Sequence, residues 1–185
     1  MPSVDEIIKV FEERGDSQYG GEAVTQLEHA LQSATLAEKE KAPAELIAAA
    51  LLHDLGHLLH SLPADAPETG IDDHHENSAR HYLEQLFPAR VTEAVRLHVE
   101  AKRYLCTTDA AYMNTLSRPS LVSLELQGGQ MSPAEVAEFE KIPNYADAVR
   151  LRRWDDAAKV PRLATPPLSH FATYLRQAEL RKSPA

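Results

Sequence analysis

The sequence predicts an all-α protein, and three features of the chain support this prediction. Apolar residues recur at the spacing of one helix face along most of the chain, as at Val24, Leu27 and Leu31. No segment of useful length shows the alternating polar and apolar residues of a strand. Prolines, glycines and capping residues divide the chain at intervals that suit a helical bundle. With 185 residues, 43% of them hydrophobic, residues 1–185 are predicted to form a single domain.

Helices account for most of the predicted elements, and breaking or capping residues set their boundaries. Gly15 ends the first helix, Pro43 suits the first turn of the third, and Pro88 separates two later helices. The run Ser132-Pro133-Ala134-Glu135 has a capping-box pattern and starts another helix. In chain order, helices are predicted over residues 4–14, 22–41, 43–60, 74–86, 88–105, 109–117, from 132 onward, 144–158 and 168–181.

Loops and turns separate these helices. A polar loop with a Gly-Gly pair is predicted over 16–21, and a loop rich in Pro, Asp and Gly over 61–73. Residues 117–120 are predicted to form a turn that leads into the apolar segment 121–126. An extended segment, 161–167, precedes the last helix.

The composition excludes several classes of protein. A formal charge of −9 argues against a nucleic-acid partner, which would require a basic surface. The chain has no run of 18 apolar residues and no basic-then-apolar start, so neither a membrane span nor a signal peptide is expected. Cys106 is the only cysteine, which fits a reducing cytoplasm. A small anionic substrate remains possible if Lys and Arg are placed locally.

The most informative stretch is Leu52-His53-Asp54-Leu55-Gly56-His57, which lies inside the apolar segment 46–59. Burying this much polarity costs several kcal/mol unless a partner is present. A bound metal ion is the partner that best explains an adjacent His and Asp. We therefore expect a metal centre here.

Other histidines have a simpler interpretation when each is considered alone. His29 shares a predicted helix face with Glu22 and Gln26, and would be an ordinary core or surface histidine. The same applies to His75 and His98. It is their combination with the His53-Asp54 pair that points to a site.

The order of His29, then His53-Asp54, then a distant Asp155 resembles the histidine–aspartate (HD) domain superfamily, whose fold is a helical bundle with metal ligands on separate helices. Several stretches resemble one subgroup, the mixed-valent diiron phosphonate oxygenases, which are related to myo-inositol oxygenase. These stretches are Tyr19-Gly20-Gly21-Glu22-Ala23, Gln26-Leu27-Glu28-His29, Leu51 to His57, His98 to Leu105, Gln127-Gly128-Gly129 and Arg152-Arg153-Trp154-Asp155.

The resemblance implies two iron ions, Fe(II) and Fe(III), with dioxygen as co-substrate. His75 and His98 are similar to the two extra ligands of binuclear members, and Asp54 would bridge the ions. The implied ligands are His29, His53, Asp54, His75, His98 and Asp155. Four imidazoles with carboxylates suit iron better than magnesium, which prefers oxygen ligands.

The resemblance also implies a substrate site. Lys102 shares a helix face with His98, and Arg152 with Asp155, so each cation would lie beside a metal ligand. A phosphonate would meet His57, Lys102, Ser120 and Arg152. By the same resemblance, Tyr19 would occupy an iron site and swing out when substrate binds. Glu22 would pair with Tyr19 and then face a cationic group of the substrate.

The function implied is O2-dependent cleavage of the carbon–phosphorus bond of a 1-hydroxyphosphonate. The preferred substrate is (R)-1-hydroxy-2-(trimethylammonio)ethylphosphonate, giving glycine betaine and phosphate, or else its unmethylated 2-amino analogue, giving glycine and phosphate. Asp72 and Asp73 favour the trimethylated compound. One alternative is a metal-dependent HD phosphohydrolase acting on a nucleotide or phosphomonoester. A non-catalytic HD module is another, and the intact ligand set argues against it.

Overall fold

The computed structural model of the protein describes residues 2–59 and 75–180, with the backbone alone for His75, Asn77 and Ser78. In this part of the chain the fold is helical and contains no β-strand, which confirms the all-α prediction. A short 3-10 helix, Tyr112–Thr115, lies between two of the α-helices. The α-helices are α1 (Val4–Arg14), α2 (Gln26–Lys39), α3 (Ala44–Leu52), α4 (Leu55–Leu59), α5 (His75–Leu83), α6 (Ala89–Thr108), α7 (Arg118–Leu126), α8 (Pro133–Phe139), α9 (Tyr145–Ala157) and α10 (Leu168–Ala178).

Helix α3 lies at the centre of the fold. Every residue from Leu46 to Leu52 is buried, because a helix that is apolar on all sides can only be placed inside a core. It packs against α2, α6 and α10, and α6 in turn packs against α9. The two residues that follow α3, His53 and Asp54, are therefore only 0% and 6% exposed. None of the helices in the described residues is long and apolar enough to span a membrane.

The predicted helix over 43–60 is interrupted at His53 and Asp54, so the prediction of one unbroken helix was wrong. The Nδ1 atom of His53 lies 2.9 Å from the carbonyl oxygen of Ala50 and donates to it. In a continuous helix that carbonyl would accept from the backbone of Asp54 instead. The backbone N–H of His57 bonds the carbonyl of Asp54, at 3.0 Å, and starts the short helix α4.

Helix α2 begins later than predicted. Thr25 is its N-cap and forms a reciprocal capping box with Glu28, which fixes the first helical residue at Gln26. Glu22 consequently lies in the preceding loop, and the prediction that it shares a helix face with Gln26 and His29 was wrong. The loop is closed by backbone hydrogen bonds between Tyr19 and Val24 and between Glu22 and Tyr19.

The predicted turn over 117–120 is instead the start of helix α7. The side chain of Ser117 accepts a hydrogen bond from the backbone N–H of Ser120 and caps the helix. Pro119 lies in the first turn, where a missing N–H costs nothing. The predicted helix over 109–117 is only the short 3-10 helix. The capping box at Ser132 and Glu135 is confirmed, and the predicted loop 61–73 lies outside the described residues.

Candidate metal centre and substrate site

Three buried histidines hold the same tautomer. Each Nδ1 atom faces a backbone carbonyl oxygen, which can only accept, so each Nδ1 carries the hydrogen. In the neutral ring the lone pair is then on Nε2, as it is in a histidine that binds a metal through this atom. The Nδ1–oxygen distances are 2.9 Å for His29 to Ala158, 2.9 Å for His53 to Ala50, and 2.6 Å for His98 to Val95.

The Nε2 atoms of His29 and His53 face each other at 3.0 Å inside the core. Two lone pairs at this distance repel each other unless a proton or a cation lies between them. Burial lowers the pKa of His53, but the carboxylates of Asp54 and Asp155 outweigh it and raise that pKa. The ligand atoms of His29, His53 and Asp54 all lie within 4.8 Å of one another. The chemistry of this donor set fits a metal ion.

The two carboxylate oxygens of Asp54 face different groups. Oδ2 lies 3.4 Å from Nε2 of His29 and 3.3 Å from Nε2 of His53. Oδ1 lies 3.4 Å from Nε2 of His98 and 3.9 Å from Nε2 of His57. A carboxylate with one oxygen on each side fits a group shared between two ions. The side chain of His75, the further expected ligand on the His98 side, lies outside the described residues.

Asp155 approaches the same histidines from helix α9. Its Oδ1 atom lies 3.4 Å from Nε2 of His29, and Oδ2 lies 3.8 Å from Nε2 of His53. The residue is 1% exposed, and apart from the ion pair of Oδ2 with Arg152 neither oxygen has a polar hydrogen directed to it within the described residues. Burial alone would raise the pKa of Asp155, but Arg152 and His53 hold it well below its usual range. A buried carboxylate that stays ionised is another feature that fits a cation.

Arg152 is fixed by three neighbours. Its Nη1 atom lies 2.8 Å from Oδ2 of Asp155, and its Nε and Nη2 atoms donate to the carboxylate of Asp156. Nε also lies 3.2 Å from the hydroxyl of Tyr112, which itself donates to Asp156. A guanidinium has five N–H groups, so one on Nη1 and one on Nη2 remain for an oxyanion. Asp156 and Tyr112 thus leave this cation able to bind a further anion.

Lys102 is a buried cation on helix α6. It is 2% exposed, and its Nζ atom donates to the hydroxyl of Ser123 at 2.7 Å. Burial, followed by the neighbouring charge of Arg152, lowers the pKa of Lys102 to about 7. Nearby carboxylates raise the pKa of Lys102 and offset this lowering only in part. An anion placed beside Lys102 and Arg152 would therefore gain two partners that the fold has already desolvated.

Tyr19 lies directly on the candidate metal centre. Its ring stacks on the ring of His29, with centroids 3.9 Å apart and planes inclined by 13°. Burial and the carboxylates of Asp155 and Asp54 raise the pKa of Tyr19 well above its usual value. Gly20 and Gly21 follow with φ angles of +36° and +75°, a region that favours glycine.

The structure also brings together residues that sequence reasoning missed. Lys159, just after helix α9, lies 2.8 Å from the hydroxyl of Ser120 and 3.4 Å from the carboxylate of Glu22. Ser117 donates to the same carboxylate. Glu22 meets Tyr19 through a backbone hydrogen bond of 2.7 Å, and the carboxylate contacts Ser117 and Lys159. One signal in the sequence could have indicated Lys159: it follows Asp155 by four residues, a spacing that brings two side chains together on a helix face.

Comparison with known proteins places the chain in a family. The HD domain family matches residues 26–137. A [1-hydroxy-2-(trimethylamino)ethyl]phosphonate dioxygenase (glycine-betaine-forming) of Leisingera caerulea is 46% identical over 168 residues, covering 91% of this chain and 86% of that protein. A hydroxymethylphosphonate dioxygenase of Gimesia maris is 48% identical over 171 residues, covering 92% and 85%. An uncharacterised protein of Acanthamoeba polyphaga mimivirus is 38% identical over 174 residues, covering 92% and 79%.

The helical fold and a buried cluster of His and Asp side chains from separate parts of the chain are those of an HD-domain protein, and the chain belongs to the HD domain family. Within that family it is a relative of the phosphonate dioxygenases.

Proposed function

We propose that this protein is an iron-dependent oxygenase that cleaves the carbon–phosphorus bond of a 1-hydroxyphosphonate. The observation that carries this proposal is the position of two desolvated cations, Lys102 and Arg152, around a buried His and Asp cluster. The two similar dioxygenases are named for substrates that share a 1-hydroxyphosphonate group. In the proposed reaction a hydroxyphosphonate and one O2 give a carboxylate, inorganic phosphate and a proton.

The metal centre is proposed to hold two iron ions in the Fe(II)/Fe(III) state, since imidazole with carboxylate ligands suits iron. His29, His53 and Asp155 would hold one ion, His75 and His98 the other, and Asp54 would bridge them. When bound, the irons would activate O2 and supply the oxidation at C1. The apolar residues of α3 around His53 would keep water out of this centre.

The chain's own residues would bind and orient the phosphonate. Lys102 and the two remaining N–H groups of Arg152 would neutralise its charge, with His57 and Ser120 as further contacts. Ser120 would make its contact by turning its hydroxyl hydrogen from Ser117 to the phosphonate. The Tyr19 side chain would move away from His29 when substrate binds. Glu22 would lie near the third substituent of C1, the one that is neither the hydroxyl nor the phosphonate.

The proposed substrates differ in that group. The Leisingera relative is named for a trimethylamino compound and the Gimesia relative for hydroxymethylphosphonate, which has no second carbon. Our preferred substrate is the trimethylammonio compound, with its 2-amino analogue next. We further propose that residues 1–185 form one HD-type domain that acts in the cytoplasm on a small molecule rather than on nucleic acid.

The first expected result is phosphate release that requires air. Purified protein supplied with iron and ascorbate should release phosphate from a hydroxyphosphonate under air and none without O2, because the proposed oxidation consumes O2. The measurement is colorimetric phosphate with each of the three hydroxyphosphonates. An HD phosphohydrolase would instead release phosphate anaerobically from a nucleotide or phosphomonoester with Mn or Mg, and that outcome would reverse the proposal.

Tyr19→Phe tests the proposed displacement of Tyr19. Removing the hydroxyl deletes its contact with the centre but keeps the ring that stacks on His29. We expect the visible absorption of the substrate-free, iron-loaded enzyme to change, with the iron content preserved. Tyr174→Phe is a matched control, because that hydroxyl bonds Glu38 on another part of the molecule, at 2.6 Å. An unchanged spectrum in Tyr19→Phe would contradict the displacement.

A further inference from the structure

Four side chains form a closed ring of three hydrogen bonds and one ion pair beside the candidate centre. Lys159 Nζ lies 2.8 Å from the hydroxyl of Ser120, and the two hydroxyls of Ser120 and Ser117 lie 3.1 Å apart. Ser117 donates to Oε1 of Glu22, and this oxygen lies 3.4 Å from Lys159. The ring therefore runs from Lys159 through Ser120 and Ser117 to Glu22 and back to Lys159.

The proton count fixes the direction of this ring. A serine hydroxyl has one hydrogen, and that of Ser117 is used by the carboxylate of Glu22. The contact between the two serines then requires Ser120 to donate to Ser117. Ser120 accepts from the ammonium group of Lys159, which has only hydrogens to give. The hydrogen of each serine hydroxyl is thereby placed, and each group polarises the next.

The ring also cancels a charge. The side chains of Lys159 and Glu22 are 11% and 14% exposed, so water screens their attraction only in part. Lys159 Nζ lies 5.8 Å from the centroid of the Tyr19 ring, which stacks on His29. The Glu22 carboxylate is thus close to the proposed reaction centre and already has a cation.

We propose that Lys159 is a positioning residue that sets substrate specificity by neutralising Glu22. This inference rests on the proposed function. With Lys159 in place, the site does not demand a cationic group on the substituent at C1, so it accepts hydroxyphosphonates with and without such a group. Without Lys159, Glu22 is a carboxylate with no cationic partner, so the site attracts a substrate ammonium group and loses affinity for hydroxyphosphonates that lack one.

The test compares kcat/KM for phosphate release from two compounds. They are 1-hydroxy-2-(trimethylamino)ethylphosphonate and hydroxymethylphosphonate, and the quantity of interest is the ratio of the first to the second. Lys159→Met should raise this ratio about tenfold, chiefly through KM, because an unpaired carboxylate favours the cation. Lys159→Arg should keep the ratio within about twofold of the wild type, since it preserves the charge.

Glu22→Gln distinguishes a specific role from general damage. In that background Lys159→Met should leave the ratio unchanged, because the carboxylate that it would release is absent. A ratio that stays the same in Lys159→Met, or rises equally in the Glu22→Gln background, would overturn the inference. If Lys159→Met is inactive with both compounds, the same ratio is taken from dissociation constants measured by anaerobic calorimetry. A wild-type protein that releases phosphate from none of the three hydroxyphosphonates would refute the proposed function instead.

Discussion

Asp54→Asn is expected to abolish phosphate release and to lower the iron content of the purified protein by about half. The physical reason is that the two oxygens of Asp54 face different groups, one toward His29 and His53 and the other toward His98. Asn has the same shape but only one oxygen, and its amide nitrogen is not a metal ligand. It can therefore serve one side of the centre and not the other. We expect kcat to fall more than about 100-fold.

The measurement pairs iron analysis with the phosphate assay and with circular dichroism of the metal-free protein. Asp5→Asn is the control, because Asp5 forms an exposed ion pair with Arg176 at 2.8 Å. That variant should keep both iron and activity. Full iron content and normal turnover in Asp54→Asn would show that Asp54 does not bridge two ions.

Sequence reasoning located most of the candidate centre because burial of polar groups has few explanations. His53 and Asp54 stand out in a segment of Ala, Leu and Ile, and burying them unpaired is costly. The structure brings His29, His98 and Asp155 to the same point, as the resemblance implied. Their roles as iron ligands stay a prediction.

The break after α3 and the start of α7 could not be predicted from local preference. Residues 44–52 favour helix strongly, and only the contact of the His53 ring with the carbonyl of Ala50 shows why the helix ends there. At α7, the Ser-Arg-Pro-Ser run suits a turn as well as a capped helix. The helix is favoured over the turn because it buries Leu124 in the core.

The ring formed by Lys159, Ser120, Ser117 and Glu22 also could not be predicted from the sequence alone. Its members come from a loop, from the start of α7 and from the residues after α9. Ser117 and Glu22 are 95 residues apart in the sequence, and Lys159 and Glu22 are further apart still. Such contacts depend on packing of separate elements, and no periodicity within one element predicts them. The same holds for Tyr112, which orients Arg152 across 40 residues.

Lys102→Met is expected to have opposite effects on substrate binding and on stability. The variant keeps most of the side-chain volume and removes a cation that the fold buries beside Arg152. Losing a desolvated charge opposite a phosphonate should raise KM more than about 100-fold, while iron content stays unchanged. Lys141→Met is the control, because Lys141 is exposed and pairs with Glu138 at the surface. An unchanged KM would place the phosphonate elsewhere.

The stability effect of Lys102→Met depends on pH in a direction that the pKa fixes. Burial lowers the pKa of Lys102 from 10.5 to about 7, so the folded protein binds this proton less tightly than the unfolded chain does. Between about pH 7 and pH 10.5 the unfolded chain carries more protons, and the wild-type free energy of unfolding should rise with pH across this window. Below about pH 7 the full cost of the buried charge is present. Urea unfolding of the iron-free proteins should therefore show Lys102→Met more stable than the wild type at pH 6, with the difference shrinking toward pH 10. A difference independent of pH would mean that the gain comes from packing and not from the buried ammonium group.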